Sequence, residues 1–311
     1  MNALIVNLNL AVDKTALVPG FERGRVFRLG GTITLPGGKG VNVARALRSL
    51  GLEVPVAGFT SGCNGRWIDA AMKKEGFRTF IENHNAGESR VCYTVVDAHG
   101  RATDLNEEGP EVPAAAQARF LKNFSRLAGQ FRVAAVCGRM SAGLKKGFYA
   151  TLVRLAAARG CFTMFDTSGP VLAEALSAGA EGIKINRAEF EELSGAAYTP
   201  ARLAAFFKKH SPKGLKTLIV TDGAGHTHAA SLFGLWRVTP PRLGVLKSPT
   251  GAGDSFMAGF LFGFLHGYDF ERTLRLATGA AASDCLSLGA GLINRAVALS
   301  YAQKARVVKL G

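Results

Sequence analysis

The stretch SPTGAGDSFMAGFLFG, Ser248–Gly263, carries the strongest structural signal in the chain. Its second half is apolar on every side, which predicts a fully buried helix. Its first half is built from small residues and glycine, and it places Asp254 in the first turn of that helix. The backbone N–H groups there would be free to hold an anion. The residues concerned are Thr250, Gly251, Ala252 and Gly253.

Two interpretations of Asp254 are open from these residues alone. As a helix cap, the carboxylate would only complement the helix dipole, which is worth roughly 0.3–1 kcal/mol. A solvated cap, however, does not need glycines on its N-terminal side. We therefore favour the second interpretation, in which the N–H groups hold a transferring phosphoryl group and Asp254 is the general base that accepts a proton from the attacking hydroxyl.

Outside this stretch, short apolar segments alternate with segments of helical periodicity. Uniformly apolar strands that alternate with helices predict an α/β fold, with a parallel sheet covered on both faces. The predicted strands are Ala3–Leu8, Val54–Phe59, Val133–Cys137, Phe162–Phe165, Gly182–Ile185 and Leu218–Val220. The predicted helices include Asn42–Leu50, Ala114–Leu127, Phe148–Ala158 and Pro200–His210.

Two further segments break this alternation and look like antiparallel strands. They are Val26–Leu35 and Arg90–Leu105, the second folded at a hairpin turn over Asp97–Gly100. Because both lie in the first third of the chain, we expect them to form a small β-sheet that projects from the core as a lid. No linker or repeat divides the sequence. We therefore expect a single domain, residues 1–311, with lid segments at about 10–35 and 90–105 inserted in it.

Composition excludes several classes of protein. The net charge is +15, but the Lys and Arg residues are spread along the chain and form no long basic run, so we expect no nucleic-acid partner. No apolar run reaches the roughly 18 residues of a membrane-spanning helix, so we expect no membrane partner. The five cysteines include no C-x-x-C pair, which favours reduced thiols and a cytoplasmic location.

Two other glycine clusters are candidate ligand loops. PGGKGVNVARALRSLG, Pro36–Gly51, is neither a Walker loop nor a dinucleotide fingerprint, but it would place Lys39 and Asn42 at the mouth of a helix, where an anion or a polyol binds well. VTDGAGH, Val220–His226, follows an apolar strand, and its glycines permit a ligand to approach closely. From the residues alone, a plain turn explains either cluster equally well.

Taken together in their order, these motifs carry a resemblance. PGGKGVNVARAL and SPTGAGDSFMAGFLFG resemble the two signatures of the ribokinase-like sugar kinases, the phosphofructokinase-B family. LNLAVD at residues 8–13 resembles the substrate motif L-N-P-A-x-D, KINRAEFEEL at residues 184–193 resembles K-P-N-x-x-E-L, and VTDGAGH resembles the nucleotide loop. Leu10 and Ile185 stand where the family has proline. The resemblance spans nearly the whole chain and implies a ribokinase-like three-layer sandwich with a mainly parallel central sheet and a small β-sheet lid.

The resemblance also implies roles for particular residues. Asp254 would be the general base, and the N–H groups of Gly251, Ala252 and Gly253 would form the anion hole. ATP and Mg²⁺ would be the cofactors, with Asn186 and Glu189 organising the metal through water. The other nucleotide-binding residues would be Lys184, Thr221, Gly223, Gly225 and Thr250. The substrate-binding residues would be Asp13, Arg28, Gly38, Lys39, Asn42, Arg90 and Asn106.

Two segments are similar to the hexose-phosphate branch of the family, which includes 1-phosphofructokinase and tagatose-6-phosphate kinase. They are ESR at residues 88–90 and ATDLNEEGP at residues 102–110. The resemblance implies that Arg90 and Lys39 bind the phosphate that the sugar already carries, a task suited to a guanidinium fork. One departure is GRMSAG at residues 138–143, where the branch has G-S-L-P-x-G, so that Arg139 replaces a serine near that phosphate.

The expected function is ATP-dependent phosphorylation of a ketohexose phosphate to a bisphosphate. The acceptor would be fructose 1-phosphate, tagatose 6-phosphate or fructose 6-phosphate, and two copies of the chain would associate through the lid as a homodimer. One alternative is a kinase of an unphosphorylated sugar or nucleoside, which Arg90 argues against. The other is a non-catalytic sugar-phosphate or nucleotide sensor, which the intact GAGD motif argues against. The sequence leaves open which hydroxyl reacts and whether a monovalent ion activates the enzyme.

Overall fold

The computed structural model describes residues 3–244 and 246–310, which form two β-sheets and the helices that cover them. The strands are β1 (Ala3–Asn7), β2 (Ala11–Leu17), β3 (Ile33–Gly37), β4 (Val56–Ser61), β5 (Thr79–His84), β6 (Arg90–Val96), β7 (Ala102–Asn106), β8 (Val133–Cys137), β9 (Phe162–Asp166), β10 (Gly182–Asn186), β11 (Thr217–Thr221), β12 (Thr227–Ser231), β13 (Gly234–Thr239) and β14 (Arg306–Lys309). The helices are α1 (Lys39–Leu50), α2 (Gly62–Lys74), α3 (Ala114–Ala128), α4 (Phe148–Ala157), α5 (Pro170–Ser177), α6 (Arg187–Ser194), α7 (Pro200–His210), α8 (Ala252–Leu265), α9 (Phe270–Asp284) and α10 (Arg295–Lys304), with a 3₁₀ turn at Ser211–Lys213.

The larger sheet has ten strands, in the order β14-β13-β12-β11-β10-β9-β8-β1-β4-β5. The seven strands from β5 to β11 are parallel, and β12, β13 and β14 continue the sheet antiparallel. The six apolar segments predicted as strands all lie in its parallel part. Their uniform burial confirms the reason for that prediction, since a parallel sheet is covered on both faces.

Helices cover this sheet on both sides and complete three layers. One hydrophobic cluster packs α1, α2, α8, α9 and α10 against one face, and a second cluster packs α3 to α7 against the other. The predicted α/β three-layer architecture is confirmed. None of the helices within the described residues has both the length and the apolar character that a membrane crossing needs.

The smaller sheet, here called the lid sheet, consists of β2, β3, β6 and β7. Strand β2 pairs antiparallel with β3 and parallel with β6, and β6 forms the predicted hairpin with β7. The expectation of a strand over Val26–Leu35 is wrong in its first part, because β3 begins only at Ile33. Residues 18–32 form an irregular loop that is exposed except at Val18 and Phe27, and glycines at 20, 24, 30 and 31 weaken any strand there.

Helix α8 is buried all round, as its composition predicts. It packs tightly on α9 at Gly259, where an added Cβ would lie 2.6 Å from the Cα of Ala277. At Gly263 an added Cβ would lie 2.7 Å from Oγ1 of Thr273. These glycines let the two helix backbones approach each other closely, so that α8 is a rigid mount for the residues at its N-terminus.

Candidate active site

A cavity of about 960 Å³ lies between the lid sheet and the carboxyl ends of the parallel strands, the edge at which open α/β sheets bind ligands. Lid residues such as Asp13, Arg90 and Asn106 line it together with the mouth of α8. Asn186 and Thr221, the last residues of β10 and β11, line it as well. The cavity brings together all the site residues predicted from the sequence except Arg28 and Gly225.

These two residues have other surroundings. Arg28 lies in the exposed loop over residues 18–32, outside the lining of the cavity. The family resemblance implied its role from its position in a lid segment, and in this structure that part of the segment precedes β3, which begins at Ile33. The N–H of Gly225 donates to the carbonyl of Asp222 at 2.7 Å and closes the turn after β11. Gly223, in the same turn, does line the cavity.

The backbone at residues 251–253, where an anion hole is predicted, has a specific conformation and close neighbours. Gly251 precedes α8 with φ of +92°, a left-handed conformation that favours glycine. A Cβ there would lie 2.5 Å from the Cβ of Ala290. A Cβ on Gly253 would lie 2.9 Å from Nζ of Lys184. Gly251 is therefore needed for its backbone conformation and for close packing. The N–H of Ala252 donates to the carbonyl of Pro249 at 3.2 Å, so the donors left for an anion within residues 251–253 are the N–H groups of Gly251 and Gly253.

Asp254 follows this hole and is 6% exposed. Burial raises its pKa from an ordinary value of 3.8 to about 7, and the nearby charge of Asp166 adds to the rise. Lys39, Lys184 and a hydrogen bond from Asn42 act in the opposite direction. That hydrogen bond runs from Nδ2 of Asn42 to Oδ2 of Asp254 at 2.9 Å. A carboxylate with a pKa near neutrality, aimed into a cavity, is suited to proton abstraction.

Asp166 is the main residue that the sequence analysis missed. It is fully buried and lies between two ammonium groups: Nζ of Lys184 is 2.8 Å from one oxygen and Nζ of Lys39 is 3.2 Å from the other. Burial opposes its ionisation, but the two lysines hold its pKa below the ordinary value. A signal was available, because Asp166 ends the apolar run Phe162–Phe165 at the edge where the other strands place polar residues.

Lys39, predicted to bind the phosphate of the sugar, has its ammonium group beside two carboxylates. Besides Asp166, its Nζ lies 3.7 Å from Oε1 of Glu189, and these attractions raise its pKa. Arg90 differs, because Nε and Nη2 donate to the carbonyl of Asn9 and no carboxylate pairs with it in the described residues. The charge of Arg90 is therefore less compensated than that of Lys39.

Asp13 lines the cavity where the lid sheet joins α1. Its Oδ2 accepts a hydrogen bond from the N–H of Gly38 at 3.1 Å. Burial raises the pKa of this carboxyl, and the bond from Gly38 and the charge of Arg90 partly offset the rise. An added Cβ on Gly37 would overlap the Asp13 carboxyl, 2.0 Å from its Cγ, so the glycine permits this approach. The arrangement presents a carboxylate acceptor to a polyol.

Asn186 and Glu189 form a capping box at the start of α6. Oδ1 of Asn186 accepts from the N–H of Glu189 at 2.9 Å, and Oε2 of Glu189 accepts from the N–H of Asn186 at 2.8 Å. The second oxygen of Glu189 is left to face the cavity near Lys39. Mg²⁺ is usually held by one or two carboxylates together with water and substrate phosphates, so this donor set fits it.

A second buried acid, Asp284 at the end of α9, lies behind the anion hole. Burial raises its pKa to about 7. Neither oxygen has a hydrogen-bond partner of normal geometry in the described residues, although the N–H of Gly291 and the hydroxyl of Ser255 lie close enough to favour its charged form. An added Cβ on Gly251 would lie 2.6 Å from its Oδ2. No sequence signal marks this residue, which stands alone among small residues of a helix.

A buried carboxylate with a pKa near neutrality beside helix N–H groups, in a cavity that Lys39 and Lys184 also line, is the equipment of a phosphotransferase that acts on a hydroxyl group. The comparisons with known proteins specify the class further. The model of the pfkB family carbohydrate kinases matches residues 6–296, and the chain belongs to this family. It is a carbohydrate kinase, and the ribokinase-like fold expected from the motifs is confirmed.

Relatives of known activity align over nearly the full length. The chain is 30% identical to the 1-phosphofructokinase of Escherichia coli strain K12 over 293 residues, 93% of each chain. It is 28% identical to a tagatose-6-phosphate kinase of Staphylococcus epidermidis over 295 residues, 94% of each. The crystal structure of phosphofructokinase-2 from E. coli in complex with substrates and products superposes with a TM-score of 0.90 at 20% identity, covering 98% of this chain and 99% of that one.

Proposed function

We propose that the chain transfers the γ-phosphoryl group of ATP to a hydroxyl of a ketohexose phosphate, giving ADP and a hexose bisphosphate. The acceptors we consider are fructose 1-phosphate, tagatose 6-phosphate and fructose 6-phosphate. The observation that carries the proposal is Asp254, a buried carboxylate with a pKa of about 7, placed directly after the anion hole. The names of the relatives in two hexose-phosphate kinase groups support this class of acceptor.

In the proposed reaction the acceptor hydroxyl lies beside Asp254, which takes its proton as the oxygen attacks the γ-phosphorus. The bond from phosphorus to the bridging oxygen of ADP breaks, and that oxygen keeps the electron pair. The predicted anion hole of Gly251, Ala252 and Gly253 would stabilise the charge on the phosphoryl oxygens, mainly through the N–H groups of Gly251 and Gly253, because that of Ala252 donates to the carbonyl of Pro249. Because the pKa of the base is near neutrality, both proton uptake and proton release are available to it at physiological pH.

The acceptor would bind under the lid sheet. Asp13 and Asn42 would accept and donate hydrogen bonds to its hydroxyls, with Gly38 and Asn106 beside them. Arg90 would bind the phosphate already on the sugar, because a guanidinium fork matches a phosphate in geometry and charge. Arg139 lines the same cavity, and no hydrogen bond or ion pair engages it in the described residues, so it can supply a second cation to that phosphate.

The nucleotide would lie on the other side of the anion hole, along the ends of β10 and β11. Thr221, Gly223 and Thr250 line this part of the cavity, and Lys184 lies directly under Gly253. Asn186 and Glu189 would hold Mg²⁺, largely through water, and the ion would neutralise charge on the ATP phosphates when bound. The chain's own contribution is to fix the positions of these donors through the capping box of α6.

A coupled assay of ADP release tests the proposal. The three ketohexose phosphates, the free hexoses and a set of nucleosides are compared as acceptors, and Asp254→Asn is the matched control for contaminating kinases. We expect turnover with a ketohexose phosphate that Asp254→Asn abolishes almost completely. Turnover only with a free sugar or nucleoside would replace the acceptor class. Ligand binding without turnover on any acceptor would favour a sensor.

We also propose that two copies associate through the lid sheet. The lid segments carry several large apolar side chains that are exposed, and a group of such side chains marks a protein–protein contact surface. They include Leu17, Phe21, Val26, Leu29, Ile33, Tyr93 and Leu105. Light scattering of the wild type and of Val26→Asp tests this, since Val26 is 87% exposed and its replacement leaves the core intact. A dimer that Val26→Asp turns into a monomer supports the lid contact, and a monomeric wild type refutes it.

A further inference from the structure

Arg45, a buried cation on α1, does not line the cavity, yet it touches three segments that do. Its Nη1 donates to Oδ1 of Asn42 at 3.2 Å and to the carbonyl of Ala290 at 3.2 Å. Its Nη2 donates to the carbonyl of Pro36 in β3 at 2.6 Å. We propose that Arg45 is a positioning residue for the reaction proposed above, and that it acts by fixing the orientation of the Asn42 amide against Asp254.

The two ends of the Asn42 amide make different hydrogen bonds. A guanidinium has only donors, so the atom of Asn42 that faces Arg45 must be the carbonyl oxygen. The other end, Nδ2, then faces Asp254, and it can only donate. Asn42 and Arg45 are three residues apart on one face of α1, which places both contacts on adjacent side chains. Without Arg45, the amide is free to turn and present its oxygen to the base.

The two orientations have opposite effects on Asp254. An amide N–H stabilises the charged carboxylate, whereas an amide oxygen accepts a hydrogen bond only from the protonated acid. Arg45 therefore favours the ionised form of the base, which is the form that accepts the proton of the acceptor hydroxyl. The same guanidinium also donates to the carbonyl of Pro36 in the lid strand and to that of Ala290 in the loop beside Gly251. Arg45 therefore connects Asn42, and through it Asp254, with the lid sheet and with the loop next to the anion hole.

Other charges around Asp254 do not reproduce this effect. Titratable groups face the carboxyl from every neighbouring element: Lys39 on α1, Cys137 on β8, Asp166 on β9, Lys184 on β10 and Asp284 on α9. None of them contacts the amide of Asn42 in the described residues. The charge of Arg45 itself is paired with Glu75, the residue that follows α2, whose carboxylate lies 2.9 Å from Nε. The effect of Arg45 on Asp254 thus passes mainly through the orientation of Asn42.

The test measures the titration of Asp254 directly, without any acceptor. The ¹³C carboxyl resonance of Asp254 is assigned by comparison with Asp254→Asn and followed against pH in the wild type, Arg45→Met and Glu75→Gln. We expect the midpoint to rise by about one pH unit in Arg45→Met, because one hydrogen bond to the charged form is lost. Glu75→Gln, which removes the ion pair and leaves the contact to Asn42, should keep the wild-type midpoint.

Asn42→Ala and the double variant with Arg45→Met separate the two causes. If Arg45 acts through Asn42, its replacement adds no further shift in the Asn42→Ala background. An equal further shift would mean that the charge of Arg45 acts directly, and it would overturn the proposal, as would an unshifted midpoint in Arg45→Met. Should Arg45→Met not fold, Arg45→Lys serves instead: its single ammonium can keep an ion pair with Glu75 but cannot also replace the hydrogen bond from Nη1 to Asn42, so the midpoint should rise.

The link to the reaction is read from the pH dependence of kcat/KM on the best acceptor. In Arg45→Met, the pKa that defines its acidic limb should rise together with the midpoint of the Asp254 titration. A wild type that turns over no acceptor would refute the proposed function and leave the NMR result on Arg45 unaffected. A shifted midpoint with an unmoved acidic limb would refute the role of Arg45 in the reaction.

Discussion

Asp254→Asn separates the two interpretations of Asp254 because they predict opposite changes in stability. If the carboxylate only caps α8, its loss should destabilise the protein by roughly 0.3–1 kcal/mol. If it is a buried base, the charged carboxylate itself is costly to the folded state. The neutral, nearly isosteric amide should then stabilise the fold while it removes the chemistry.

The size of the stabilisation follows from the pKa. In the folded state the pKa of Asp254 is about 7, whereas an ordinary Asp has a pKa of 3.8. Between these values the native protein binds more protons than the unfolded chain, so wild-type stability falls as pH rises. At about 1.4 kcal/mol per pKa unit, the loss amounts to roughly 4 kcal/mol above neutrality. Asp254→Asn escapes this loss, so its advantage should be near zero at pH 4 and greatest above pH 7.

The assay combines denaturant unfolding at several pH values with steady-state kinetics. We expect kcat to fall by roughly 10²–10⁴, the usual result of removing a positioned base, with ATP affinity nearly unchanged. Asp254→Ala is a useful companion, since it also removes the charge but leaves a small cavity. A variant that is less stable than the wild type at pH 8, or that keeps more than half of its turnover, would refute the assignment of Asp254 as a buried base.

Other positions offer independent tests. Arg90→Ala should raise KM for a sugar phosphate by about 2 kcal/mol of binding and leave KM for a free sugar unchanged, because only the former presents an anion to the fork. Asp166→Asn should lower the free energy of unfolding at pH 7 by about 3–5 kcal/mol in denaturant melts, since it leaves the buried ammonium group of Lys184 unpaired. Gly259→Ala should cost about 1–3 kcal/mol by forcing α8 away from α9, and kcat should fall more than KM changes.

The sequence predicted what periodicity and local motifs encode. Uniformly apolar strands and the all-apolar helix α8 were foreseeable, because burial on every side leaves a plain compositional trace. The loop before β3 was not, since Val26 and its neighbours have strand-like side chains but lack a partner strand to hydrogen-bond with. Tertiary contacts, and not local strand propensity, determine the conformation of such a segment.

The residues of the site also fall into two groups, those predictable from local motifs and those that depend on distant contacts. Asp254 and Lys39 stand in glycine-rich motifs whose chemistry can be read locally. Asp166 and Asp284 acquire their importance only from groups that lie far away in sequence: the lysine pair in one case, the back of the anion hole in the other. Arg45 lies inside a motif that was singled out, but its contacts with Ala290 and Glu75 could not be inferred from helical spacing alone.

If Lys184 and Lys39 bind the phosphates of the two substrates as proposed, their sharing of Asp166 has a consequence for how strongly the two substrates bind together. A phosphate that draws Lys184 away from Asp166 leaves that carboxylate to attract Lys39 more strongly, so Lys39 becomes a weaker partner for a second anion. The two substrates should therefore oppose each other's binding, and by thermodynamic reciprocity each should weaken the other by the same factor. Such antagonism would lower the affinity of the enzyme for both ligands together and so favour the release of the two charged products.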